Sequence, residues 1–156
     1  MPDLLNIKKN YRWDLSGIEF ALKERIGDPE KFIGRKEEME FLYDWYQMIK
    51  RENGETMAFL GRRKIGKTLM MERLYNIIYS EQDGVIPFYY EFTEGKIAAK
   101  RFAEDFIVSF YLQLISYYTR DKLWTRRALE KKNKVSLDEL KEEIKNLDLK
   151  YKDVIM

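Results

Sequence analysis

Residues 61–68 read Gly-Arg-Arg-Lys-Ile-Gly-Lys-Thr, a complete G-x-x-x-x-G-K-[ST] pattern. Glycines at 61 and 66 let the main chain curl until successive N–H groups converge on one anion. Lys67 brings an ammonium to the β- and γ-phosphates of a nucleotide, and the Thr68 hydroxyl is a Mg²⁺ ligand. The candidate contact set is Gly61, Arg62, Arg63, Lys64, Ile65, Gly66, Lys67, Thr68 and Leu69. Within it, Lys67 and the loop amides would stabilise charge on a transferring phosphoryl group. The cations Arg62, Arg63 and Lys64 read two ways. They add positive potential around a triphosphate, or they form a solvated loop tip, and at least one belongs to the tip.

The flanking sequence supplies elements to hold such a loop. Glu55–Leu60 ends in a short apolar run, the pattern of a buried parallel strand. Leu69, Met70, Leu74, Ile77 and Ile78 recur at helical spacing through Lys67–Ser80. Strand, glycine loop and helix in that order place phosphates at a helix N-terminus, where the dipole favours negative charge.

Upstream, Met39, Leu42, Tyr43, Tyr46 and Ile49 predict a helix over Lys36–Arg51, stopped by Asn53-Gly54. Residues 1–31 read as an N-terminal arm with a short amphipathic helix over Ile18–Ile26, ended by Gly27-Asp28-Pro29. Downstream, Val85–Phe92 reads as a second strand, with Pro87 placing it at a sheet edge. A long helix over Lys96–Thr119 follows, with Ile97, Phe102, Phe106, Phe110, Leu114 and Tyr117 on one stripe. Ser136-Leu-Asp-Glu139 is a capping box for a charged helix to about Asn146. The predicted fold is therefore α/β: a three-layer phosphate-loop domain over residues 32–156 with a mainly parallel sheet.

Composition bounds the function classes. At 156 residues, 45% apolar and 36% charged, the chain suits one soluble globular domain. Cysteine is absent, which excludes disulfides and thiolate metal sites, and the absence of histidine excludes His-based triads and the usual zinc sites. A net charge of +2 is too small to argue for nucleic acid. Neither a run of about 18 apolar residues nor a signal peptide is visible, so a cytoplasmic location without a membrane partner is expected.

Two segments carry a family resemblance. Phe32-Ile-Gly-Arg-Lys-Glu-Glu-Met-Glu-Phe-Leu42 resembles the "F-[IV]-G-R-E-x-E-L-x-x-L" segment that precedes the first strand in archaeal-type ATPases. Phe59-Leu-Gly-Arg-Arg-Lys-Ile-Gly-Lys-Thr68 is similar to that family's "Y-G-R-R-R-V-G-K-T" loop, including its internal basic residues. The family belongs to the AAA-like and STAND branch of phosphate-loop NTPases, and the resemblance covers about residues 32–92. It implies binding of ATP or ADP with Mg²⁺ and coupling of nucleotide to a downstream module. It also places Gly34 and Arg35 near the adenine or ribose; the alternative is a helix start with an exposed arginine. A phosphate-loop ATPase further needs an acid at a strand end to hold the metal and polarise water. Val154-Ile155-Met156 has the apolar half of that motif and no acid, so the chain reads as the N-terminal portion of a longer ATPase domain.

Other residues have weaker readings. Glu91 falls at the end of the second expected strand, where it would orient a water or serve the surface. Phe88, Tyr89, Tyr90 and Phe92 read as sheet packing before base stacking. Arg120, Lys122, Arg126, Arg127, Lys131, Lys132 and Lys134 with Trp124 could touch nucleic acid, but Glu130 and the following acidic helix favour a solvated connector. The rival functions are a nucleotide-gated switch without turnover and a small-molecule or nucleotide kinase. Oligomerisation stays open.

Overall fold

Met39, Leu42 and Tyr46 come in steps of three and four, and the helix they form, α1 (Lys36–Lys50), buries all three. The computed structural model describes residues 18–26, 32, 34–92, 99–129 and 135–146. α1 ends where the amides of Arg51, Glu52 and Asn53 turn back to the carbonyls of Met48 and Ile49. Glu52, at φ 59°, takes the left-handed position that the sequence assigns to the Asn53-Gly54 stop. Gly54 is needed for a different reason: a Cβ there would lie 2.7 Å from the Ile49 Cα.

α2 (Lys67–Glu81) lays Met70, Leu74, Ile77 and Ile78 against the buried row of α1, with Met57, Phe59 and Val85 at the margin of that core. Tyr43 donates from its hydroxyl to Glu81 at 2.7 Å, and Lys50 pairs with Asp83 beyond the end of α2. These helices belong to the first of two compact units, Met1–Val85.

The second unit, Ile86–Met156, holds α3 (Ala99–Thr119), α4 (Lys122–Leu129) and α5 (Leu137–Asn146). Its core is Leu112, Ile115, Trp124 and Leu140. Asp121 caps α4 by accepting the amides of Leu123 at 2.7 Å and Trp124 at 3.3 Å. Ser136 caps α5 through the Glu139 amide at 3.1 Å, as its sequence predicts. The Glu139 carboxylate pairs with Arg127 at 2.6 Å.

The α/β expectation is overturned: among the described residues there are helices and no strand, hence no parallel sheet and no three-layer arrangement. Glu55–Leu60 keeps a period of two, with Met57 and Phe59 half-buried on the α1–α2 core, but Leu60 is 88% exposed. A parallel strand covered on both faces cannot expose that residue. Val85–Phe92 is no edge strand either, and Pro87 is buried. Phe88, Tyr90 and Phe92 do not pack in a sheet. They lie antiparallel along α3, Phe88 on Phe106 and Phe110, Tyr90 on Phe102 and Phe106, Phe92 on Phe102, with centroids 5.1–5.8 Å apart. Four helical residues rise about 6 Å, close to the span of two residues of extended chain, so alternate rings meet successive turns.

The expected helix over Ile18–Ile26 is also absent. Four of its amides go to side chains of α2. The Glu19 amide donates to the Ser80 hydroxyl, those of Ala21 and Leu22 to Asn76 Oδ1, and that of Arg25 to Glu72 Oε2. Asn76 also donates to the Leu22 carbonyl at 2.9 Å, so one carboxamide satisfies both main-chain groups of one residue. Gln113 on α3 does the same for Tyr89, both bonds at 2.9 Å. In each unit a helical carboxamide stands where a neighbouring strand would. The apolar run Val154–Met156 lies outside the described residues.

Candidate functional site

The phosphate-loop motif folds as a tight turn that opens a helix. Gly66 is the N-cap of α2 with φ 94°, and Lys64 is left-handed at φ 65°. The first amide to bond back within α2 is that of Met70, to the Gly66 carbonyl at 3.1 Å. The amides of Gly66, Lys67, Thr68 and Leu69 precede it and have no partner inside the helix. Four donors at one helix end, with no acidic residue in the first turn, make a setting that favours an anion.

Lys67 folds back over the turn. Its ammonium donates to the carbonyls of Gly61 at 2.7 Å and Arg62 at 2.8 Å, which leaves one of its three protons for another acceptor. Gly61 serves this packing by leaving room rather than by a left-handed bend: a Cβ there would lie 3.3 Å from Ile65 Cγ2 and 3.6 Å from Lys67 Cδ. Gly66 alone among the loop's glycines has positive φ. Arg62, Arg63 and Lys64 are all exposed, as a solvated tip would have them, and Thr68 and Leu69 are half-buried.

Gly34 and Arg35 form a second corner beside this turn. Both are left-handed, at φ 80° and 59°, and the non-glycine member carries a conformational cost of about 1–2 kcal/mol. The corner aims Arg35 at the loop: Nη2 donates to the Ile65 carbonyl at 3.4 Å while Nη1 donates to Glu38 at 2.6 Å. The hydrogen bond from Arg35, ahead of the helix amide, holds the Glu38 carboxyl below its usual range, so the pair stays ionised at neutral pH. Thus the two segments singled out in the sequence are brought together at the Ile65 carbonyl.

Glu91 and the aromatic residues 88–92 belong to the second unit, where the rings pack on α3. Trp124 is buried and covered by the Arg127 guanidinium at 4.7 Å, and Arg120 lies over the Tyr117 ring at 5.9 Å. Lys131, Lys132 and Lys134 lie outside the described residues.

The polar face of α2, which no sequence motif marks, is buried. Arg73, 2% exposed, makes a two-armed ion pair with Glu24, 3% exposed, both bonds at 2.7 Å. Its guanidinium lies 4.7 Å from the centre of the Phe32 ring and 6.0 Å from that of Phe20. Asn76 adds a bond to Glu24 at 3.1 Å, and Arg25 pairs with Glu72. The available signal was the four-residue spacing of Glu72, Asn76 and Ser80, a pattern that by itself reads as a solvated helix face.

Among the described residues no group of three or more His, Cys, Asp or Glu side chains could hold a metal. Mg²⁺ bound with a nucleotide does not require one, because it keeps waters and takes substrate phosphate oxygens alongside one or two protein ligands. The Thr68 hydroxyl, in the first turn of α2, fits that donor set. Among the described residues no helix is long and apolar enough to cross a membrane. Comparison of the chain with protein-family models, curated proteins and solved structures finds no match.

Proposed function

We propose that this chain binds ATP or ADP with Mg²⁺ at residues 61–69, in the manner of the archaeal-type ATPases that its two motif segments resemble. The observation that carries the reading is local: a complete phosphate-loop motif forms a turn with four helix amides that lack an intrahelical partner and a lysine ammonium at the same helix end. That combination supplies what a polyphosphate needs, namely N–H donors at a helix end, a favourable helix dipole and a cation beside them. The amides of Gly66 to Leu69 would meet phosphate oxygens, Lys67 would exchange its carbonyl partners for the β- and γ-phosphates, and Thr68 would hold the metal. Mg²⁺ would supply charge neutralisation there. The reading rests on the loop and its helix and does not require a sheet.

The test is calorimetric titration of the folded chain with Mg-ATP. Wild type is expected to bind, and Lys67→Ala to bind at least about tenfold more weakly, the loss of a charge-assisted contact. Equal affinity of the two proteins, or no binding by a folded wild type, would overturn the reading.

A further inference from the structure

The Glu24–Arg73 pair belongs to neither corner of the candidate site but touches Phe32, close in the chain to the second. Arg73 lies six residues after Lys67 on α2, and Phe32, whose ring covers it, lies two residues before Gly34. Gly34 and Arg35 hold consecutive left-handed conformations, and the strain at Arg35 persists only where the surroundings over-determine it. Two anchors determine it here. Glu38 holds the Arg35 side chain on one side, and Phe32, seated on Arg73, anchors the chain two residues before Gly34. Arg73 in turn is fixed by both oxygens of Glu24, on a segment that Ser80, Asn76 and Glu72 bind along its main chain.

What the corner does follows from peptide geometry. Arg35 donates to the Ile65 carbonyl, and in a trans peptide the next amide, that of Gly66, points the opposite way. Gly66 carries one of the four amides that would receive phosphate. We propose that Glu24 and Arg73 are positioning residues for this site: through Phe32 and Arg35 they fix the orientation of the Ile65–Gly66 peptide and so set affinity for polyphosphate. A buried, two-armed ion pair suits the task, since it tolerates only one geometry. The inference deepens the nucleotide-binding reading and rests on it.

The experiment is titration of the full chain with Mg-ATP and, separately, with inorganic tripolyphosphate. It compares wild type with Glu24→Gln, Arg35→Ala, the double variant and Phe32→Leu, each checked for folding by circular dichroism. Each single substitution is expected to weaken both ligands by about fivefold, the scale of coupling through a packed network. Because Glu24 acts through Arg35, the double variant should be no weaker than the weaker single, whereas independent effects would multiply. Multiplying effects, or a folded Glu24→Gln with wild-type affinity, would overturn the proposal. So would a loss seen with ATP and not with tripolyphosphate. Should Glu24→Gln fail to fold, Phe32→Leu, which keeps an apolar side chain and removes the ring face, carries the same comparison with Arg35→Ala. A folded wild type that binds neither ligand would instead overturn the nucleotide reading itself.

Discussion

At the scale of single residues, two side chains on the first helices give opposite lessons about charge and shape. Thr68 is half-buried in the first turn of α2, beside the amides that would meet phosphate. If its hydroxyl is the protein's Mg²⁺ ligand, Thr68→Val, close in volume but lacking that oxygen, should lose most of the Mg²⁺ dependence of ATP binding. Titrations with and without the metal check this, and a variant affected alike in both would show that the hydroxyl is no ligand. Asp44 on α1 carries a cost instead. Desolvation, and then the nearby charge of Glu40, push its carboxyl above the ordinary value of 3.8. The folded chain thus binds this proton more tightly than the unfolded chain does. Its contribution to stability is most favourable below the unfolded value and declines as pH rises through the folded one. Asp44→Asn, which keeps the shape and removes the charge, should melt at a higher temperature than wild type at pH 7 and at the same temperature at pH 3. Calorimetric melts at the two pH values measure the difference, and an equal or lower melting temperature at pH 7 would refute it.

Among the elements, the segments without regular structure are held by helices through side-chain amides. Asn76 accepts from Ala21 and Leu22 and donates to the Leu22 carbonyl and to Glu24, so its removal strands several buried groups at once. Asn76→Ala should cost about 2–4 kcal/mol, the range for breaking a buried hydrogen-bond network. Chemical denaturation checks the magnitude. Amide exchange checks the cause, because Ala21 and Leu22 should lose protection before the core of α1 and α2 does. Gln113→Ala should expose the Tyr89 amide in the same way. Ring packing of Phe88 and Tyr90 on α3 does not depend on that bond, so the loss should stay local.

For the whole molecule, each of the two units has its own closed apolar cluster. Leu42 is fully buried in one with Met39, Tyr46 and Ile77, and Leu140 is fully buried in the other with Ile115 and Trp124. Leu42→Ala and Leu140→Ala should each destabilise by about 2–5 kcal/mol, the transfer and cavity cost of a buried leucine. Hydrogen exchange should separate them: Leu42→Ala deprotects amides in α1 and α2, and Leu140→Ala those in α3, α4 and α5. Uniform deprotection of all five helices by either variant would contradict the division into two cores.

What was legible in the sequence is local bonding. The apolar spacing of Met39, Leu42 and Tyr46, and of Met70, Leu74 and Ile77, sufficed to place α1 and α2 within a residue or two, and Ser136 marked the start of α5. A helix bonds each amide to the residue four before it, so its pattern is complete within the segment. The phosphate-loop turn was legible for the same reason, since Gly66, Lys67 and Thr68 are neighbours in the chain. Strands were not, because a ladder belongs to two segments and a short apolar run does not name its partner. Met57 and Phe59 took a helix pair, Phe88 and Tyr90 took α3, and Leu22 and Tyr89 took carboxamides in place of a strand neighbour. Burial of the Glu24–Arg73 pair, 49 residues apart, and the meeting of Arg35 with Ile65, 30 apart, were likewise decided only by tertiary structure. In the sequence Glu24 and Arg73 are ordinary charged residues. Only where the chain crosses itself do the two lose their water and acquire a fixed partner.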